Sequence, residues 1–230
     1  YYIRKVNKLY STKKSMRLLV LTGFSSGLGE AIHQLLISKN SQDELIFFGR
    51  KTGKSKKNIS YFHADFSDKE CQWLNNLVID DKIQEIVLIN NAGVILPIGK
   101  LSEFNIDEVE RNIYINFVSP IKLIVKLAKL SYRLKIINIS SGAADNPIHC
   151  WAPYCAAKSG MKSFLNVVEL EDGISIFNVD PGVLDTNMQE EIRNHSQKCK
   201  NLEYFVGLKE DQKLRKASDA ANEIYRDYIQ

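Results

Sequence analysis

The chain has 230 residues, 44% of them hydrophobic and 25% charged. That length can bury roughly 70% of the surface its unfolded form exposes, and the composition is ordinary globular usage, which excludes a disordered or fibrous chain. The net charge is only +4, and six basic residues (Arg4, Lys5, Lys8, Lys13, Lys14 and Arg17) crowd into the first 17 positions, leaving 25 basic against 27 acidic residues elsewhere. The body is therefore near neutral, and the arithmetic gives no hint of the basic face a nucleic-acid footprint needs. The longest apolar stretch, 113–130, is interrupted by Lys122, Lys126 and Lys129, so no membrane-spanning helix is expected. Four cysteines (Cys71, Cys150, Cys155 and Cys199) make no C-x-x-C pair. Reduced thiols in a cytoplasmic protein are the expectation, and a zinc site from His149, Cys150 and Cys155 would have unusual spacing, so no metal is expected.

Residues 1–15 lack the apolar core of a secretory signal and read as a basic extension, with a single domain over 16–230. The first strand falls at 17–22 (RLLVLT). It runs into Thr22-Gly23-Phe24-Ser25-Ser26-Gly27-Leu28-Gly29, a glycine loop opening a helix at 27–39. Strand, glycine turn and helix N-terminus in that order form a dinucleotide cradle. Gly23 suits the tight turn, Gly27 the approach of the pyrophosphate and Gly29 close helix–strand packing, while the helix N-terminus faces the phosphates. The spacing is G-x3-G-x-G, and a glycine-rich turn without a ligand is the competing reading. The second strand, 44–49, ends in Arg50 rather than an acid. An acid there would bond a ribose 2′-hydroxyl, whereas Arg50 can pair with a 2′-phosphate, so NADP(H) is expected over NAD(H).

The connection 50–58 is too short for a helix. Strands follow at 59–63, 84–90, 134–140 and 173–180, with helices at 68–79, 103–130 with a break, 153–170, 185–194 and 217–229. Strands that are apolar on successive positions are buried on both faces, and their alternation with helices implies βαβ units. The expected fold is α/β: a single Rossmann-type doubly wound parallel sheet with helices on both faces. Pro153 suits the first turn of the helix at 153–170. Tyr154 and Lys158 then share one helix face, and Ser141 sits at the end of the strand 134–140, where open α/β sheets place their sites.

TGFSSGLG (22–29), Asp65, NNAG (90–93), Asn116, INISSG (137–142), YCAAK (154–158) and PGVLDT (181–186) occur together in one order. By these motifs the chain resembles the short-chain dehydrogenase/reductase family over essentially all of 16–229. SGAADNP, the W-x-x-YC segment and PGVLDTNMQ are most similar to its benzil reductase and sepiapterin reductase branch. The resemblance implies Tyr154 as general acid, Lys158 beside it, Ser141 as donor to the substrate oxygen and Asn116 in a proton relay. It implies cofactor contacts from Gly23, Ser25, Ser26, Gly27, Leu28, Gly29, Arg50, Asp65, Phe66, Asn91, Ala92, Gly93, Tyr154, Lys158, Pro181, Gly182, Val183 and Thr186. Trp151, His149, Asp185 and Met188 are the candidates for the substrate pocket. Unlike the family pattern, no strand is legible after 217–229.

These readings converge on an NADPH-dependent carbonyl reductase acting on a small ketone or diketone, as a homodimer or homotetramer. An NADP-dependent alcohol dehydrogenase running oxidatively and a non-catalytic dinucleotide-sensing module are the alternatives. The module would not need Ser141, Tyr154 and Lys158 together.

Overall fold

In the computed structural model, residues 16–39, 42–75, 77–130, 133–195 and 199–230 are described. The expected extension at 1–15 lies outside them. Six runs of successive apolar residues form β1 (Met16–Thr22), β2 (Glu44–Gly49), β3 (Ile59–His63), β4 (Ile83–Asn90), β5 (Leu134–Ile139) and β6 (Ile174–Val179). They build one sheet in the order β3-β2-β1-β4-β5-β6, parallel at every pairing.

Both faces are covered, which is why the strands show no polar alternation. On one face Leu18, Val20, Ile86, Leu88 and Ile136 pack with Ile115, Leu123, Leu127, Met161 and Leu165. Those partners belong to the turn that follows α2 (Ile106–Ile113), to α3 (Ser119–Ala128) and to α4 (Ala152–Val168). On the other face Leu19, Leu21, Phe47, Val87 and Ile89 pack against Leu28, Ile32 and Leu36 of α1 (Gly27–Lys39) and Ala220, Ala221 and Ile224 of α7 (Ala217–Ile224). Each fully buried Leu or Ile contributes roughly 1.5–3 kcal/mol. The chain crosses in opposite directions on either side of β1, and that reversal opens a crevice at the carboxyl ends of β1 and β4.

Three elements differ from the expectation. The helix expected at 68–79 is reduced to one short turn, Gln72–Leu74. The Asp68 carboxylate accepts the N–H groups of Glu70 and Gln72, and Cys71 adopts a left-handed φ of 51°; both compete with helix hydrogen bonding. The break expected within 103–130 is a π turn at Tyr114–Val118 that leaves the helical rod continuous. A helix with no counterpart in the sequence reading, α6 (Leu202–Glu210), follows α5 (Asn187–His195).

α5 and α6 cap the crevice. Ile192, Phe205 and Cys199 pack with Ile95, Ala143, Cys150, Trp151 and Tyr154 in a third apolar cluster. Cys150 and Cys199, 49 residues apart, form a disulfide, which corrects the expectation of reduced thiols throughout. Cys71 and Cys155 are free. Among the described residues no helix is long and apolar enough to cross a membrane.

Candidate active site

The crevice holds a cavity of about 630 Å³. One end is walled by the glycine loop. Gly27 has φ +54°, and a Cβ on it would meet Thr186 Cγ2 at 3.1 Å. The passage between this loop and the 181–186 segment therefore depends on a residue without a side chain that tolerates a left-handed backbone. Gly29 answers a different need, since a Cβ there would drive into the Gly23 carbonyl and the Asn91 amide. Gly29→Ala is expected to cost about 1–3 kcal/mol of stability, as overpacking does, and to weaken dinucleotide binding. Chemical denaturation and a ligand titration read the two effects.

Asparagines hold this end of the sheet. Asn91 Nδ2 donates to the carbonyls of Thr22 (3.0 Å) and Gly23 (3.1 Å), and the buried Thr22 hydroxyl accepts the N–H groups of Asn91 and Ala92. One strand end further, Asn90, Asn138 and Asn178 link β4, β5 and β6 through amide–amide bonds of 2.9 Å. Arg50 and Arg111 flank Asp65 on the cavity wall. The Ser67 hydroxyl, donating to Asp65 Oδ1 at 2.7 Å, is the main cause holding that carboxyl below its ordinary range; Arg111 and Arg50 add to it. The ionised carboxylate can accept a hydrogen bond from an adenine amino group. Phe66, Ala92 and Gly93 complete this wall.

At the other end Ser141, Tyr154 and Lys158 come together. Ser141 leaves β5 in extended conformation and caps the turn after it, its Oγ accepting the Ala143 N–H at 3.2 Å. Tyr154 and Lys158 rise from the first turns of α4, 5% and 8% exposed. Burial pushes the Tyr154 phenol up to about 12, against the opposing pull of the Ser141 hydroxyl. Burial pulls Lys158 down to about 8, with Asp180 opposing. Lys158 Nζ donates to the Ile139 carbonyl at 2.7 Å, which leaves two further N–H donors, and it lies 5.6 Å from the centre of the Tyr154 ring.

Every sequence-expected cofactor residue lies on this cavity wall, including Ser25, Ser26, Leu28, Pro181, Gly182 and Val183. Asn116 lies behind it, 3% exposed. Its Oδ1 accepts the Val94 N–H (3.0 Å) and its Nδ2 donates to the Val94 carbonyl (2.8 Å) and to Asn112, so its side chain is fully engaged in fastening the 94–96 segment to the helical rod. Of the four substrate candidates, Trp151 and Met188 line the cavity. Trp151 stacks on Phe205 at 5.2 Å and meets Tyr154 edge-on. His149 and Asp185 stand outside the wall. His149 Nδ1 faces Cys150 Sγ at 3.2 Å and the Lys200 N–H, its ring and the two disulfide sulfurs lying within 4.8 Å of one another. The Asp185 carboxylate pairs with Lys209 at 2.9 Å. The sequence reading missed Arg111, Phe205 and Asp180 on the wall. Only Asp180 carried a signal, its place directly after a strand and before Pro181.

A parallel sheet with a glycine loop at its topological switch, facing a buried Ser–Tyr–Lys set, defines a dinucleotide-dependent oxidoreductase of the doubly wound class. The short chain dehydrogenase family model matches residues 17–197, and the chain belongs to that family, whose members bind a nicotinamide dinucleotide and act on carbonyl or alcohol groups. It is 33% identical to the benzil reductase ((S)-benzoin forming) of Bacillus subtilis, over 87% of this chain and 88% of that protein. It is 26% identical to the sepiapterin reductase of Xenopus tropicalis, over 86% and 85%. Among solved structures, the KRED1-Pglu enzyme superposes with a TM-score of 0.82 over 94% of this chain and 97% of that one, at 24% identity, a likeness of fold.

Proposed function

We propose that the protein is an NADPH-dependent carbonyl reductase acting on a small ketone or diketone. The observation that carries this reading is a buried Tyr154 beside Lys158 and Ser141 at one end of a cavity whose other end presents Arg50. The nicotinamide dinucleotide, when bound, supplies the hydride. The chain's part is positioning and proton delivery. Ser141 and Tyr154 donate hydrogen bonds to the substrate oxygen, where negative charge develops. The Tyr154 O–H proton passes to that oxygen, leaving a tyrosinate, and the Lys158 cation one helical turn away stabilises it. With its phenol pushed up to about 12, Tyr154 is protonated at neutral pH and ready to donate. Trp151, Phe205 and Met188 give the substrate end an apolar lining suited to an aromatic or branched carbonyl compound.

Arg50 and Arg111 give the adenosine end two guanidinium groups against the single Asp65 carboxylate, which favours a 2′-phosphate. Arg50→Ala is expected to weaken NADPH binding by ~1–3 kcal/mol, about 5- to 150-fold, as the loss of a charge-assisted bond does, while NADH binding is spared. Fluorescence titration with both cofactors checks this, and equal weakening of the two would remove Arg50 as the phosphate reader. The same family reading carries a homodimer or homotetramer, with exposed Val125, Val167 and Leu170 on and after α3 and α4 as apolar surface for it; sedimentation equilibrium measures the state. The deciding experiment follows NADPH consumption at 340 nm against benzil-type diketones, sepiapterin, simple aldehydes and quinones, with NADH as control. Turnover of one class with NADPH alone supports the reading. Oxidation of the matching alcohols without reduction of any carbonyl overturns it.

A further inference from the structure

The disulfide that ties the cap to the catalytic helix lies beside a third side chain able to ligate a metal. His149 Nδ1 stands 3.2 Å from Cys150 Sγ, and the ligand atoms of His149, Cys150 and Cys199 all lie within 4.8 Å of one another. The chain brings them there from two sides. His149 and Cys150 belong to the turn before α4, and Cys199 to the connection between α5 and α6. Nδ1 accepts the Lys200 N–H at 3.4 Å, so it is the unprotonated ring nitrogen and its lone pair is on the side of the sulfurs. Cys150 and Cys199 are 8% and 7% exposed, whereas His149 is open to solvent. Cys155, nearer in sequence, is free and belongs to α4.

We propose that, once the bridge is reduced, His149 Nδ1, Cys150 Sγ and Cys199 Sγ form a binding site for a zinc-like divalent cation, with water in the fourth position, so that a metal ion replaces the covalent tie between the cap and the catalytic helix. Two thiolates and an imidazole are a borderline-soft donor set, which selects zinc over magnesium or calcium. With bonds of about 2.3 Å to sulfur and 2.0 Å to nitrogen, tetrahedral ligand atoms lie about 3.5–3.8 Å apart. The His149–Cys150 distance is already close to that. The two sulfurs need only part to it, which rotation of their side chains supplies. Two thiolates and a dication leave a neutral centre, which suits the apolar cluster of Ile192, Trp151 and Phe205 that contains both cysteines. The exchange balances. A thiolate of an external dithiol attacks one bridge sulfur and expels the other as thiolate, and the second dithiol sulfur then closes a ring disulfide and releases the first cysteine. The dithiol loses two electrons, the bridge gains them, and the cation displaces the two cysteine thiol protons to water. In an oxidising compartment the bridge ties the roof of the substrate end; in a reducing one the metal does.

Cobalt(II) is the probe, because it enters zinc-type sites and reports its ligands by its spectrum. Wild-type protein reduced with a phosphine, freed of it and kept anaerobic should bind one cobalt per chain. A thiolate-to-cobalt charge-transfer band and the visible bands of tetrahedral cobalt should appear; zinc should displace the cobalt and magnesium should not. The same protein left oxidised should show neither band, a comparison that needs no variant to fold. Cys155→Ser should keep the full spectrum, and Cys199→Ser should lose the two-thiolate band. His149→Ala should weaken cobalt binding by at least about tenfold, the smallest loss that removing even a partner of a metal ligand brings. Zinc should raise the melting temperature of the reduced wild type above its metal-free value, but not that of the oxidised protein or of reduced Cys199→Ser. A reduced wild type that takes up no cobalt, or cobalt binding that survives unchanged in Cys199→Ser or His149→Ala, would overturn the proposal. None of these readings uses NADPH or a carbonyl compound, so the reductase reading stands or falls separately.

Discussion

Tyr154→Phe is expected to lower turnover in carbonyl reduction by about 10²- to 10⁴-fold, the range of a positioned general acid, while NADPH binding is retained. The substitution removes one oxygen and little else. The phenylalanine ring keeps the edge-on contact with Trp151 and the face presented to Lys158, so the cavity keeps its shape. What is lost is the one O–H that burial holds protonated up to about 12 and that lies beside the Ser141 hydroxyl. Lys158, pulled down to about 8, is still mostly charged at neutral pH but lies behind the phenol and cannot replace it as donor. NADPH oxidation at 340 nm and a fluorescence titration of the same preparation check the two halves. Activity above about a tenth of wild type, with binding intact, would remove Tyr154 as the acid.

Cys199→Ser is expected to lower stability by about 4 kcal/mol in non-reducing buffer, the loop-closure value for a bridge across 49 residues. In dithiothreitol the variant and wild type should melt together. The bridge joins the segment that holds the cap helices α5 and α6 to the residue preceding Trp151, the N-cap of the helix carrying Tyr154 and Lys158. Its loss therefore acts on the roof of the substrate end, and KM for a bulky diketone should rise more than kcat falls. Calorimetry with and without reductant tests the stability half, and a wild-type melting temperature indifferent to dithiothreitol would contradict it.

The sheet was legible because its strands are buried on both faces. Runs such as LIFF and EIVLIN admit no amphipathic helix, so all six strands fall within one residue of their expected positions. The glycine loop, Ser141, Tyr154 and Lys158 were legible for a related reason: each sits at a strand end or on a helix face fixed by short spacing. The segment 68–79 was not, because its helical period is overruled locally by the Asp68 carboxylate and the left-handed Cys71. α6 lay hidden in nine residues with a glycine at 207, and with it Phe205, which reaches the site only through tertiary packing. His149 and Asp185 were placed by their nearness in sequence to true wall residues, and one residue along a turn was enough to point each away. The partner of Cys150 could not be read from spacing at all.

The π turn at Tyr114–Val118 sets the phase of everything on the helical rod. Before it, Asn112 faces inward, fully buried and donating to the 94–96 carbonyls; after it, Leu123, Ile124 and Leu127 lie flat on the sheet. One helical residue is a step of about 100°. A π turn bonds i to i+5 where an α turn bonds i to i+4, so it takes up one extra residue while both halves keep their faces. A deletion inside it that spares Asn116 is expected to leave a regular α turn with the asparagine clamp and the apolar seam of α3 still in phase. The same deletion in the regular stretch on either side has no such slack and would rotate one of them toward water, so tolerance of a length change should be concentrated at this turn.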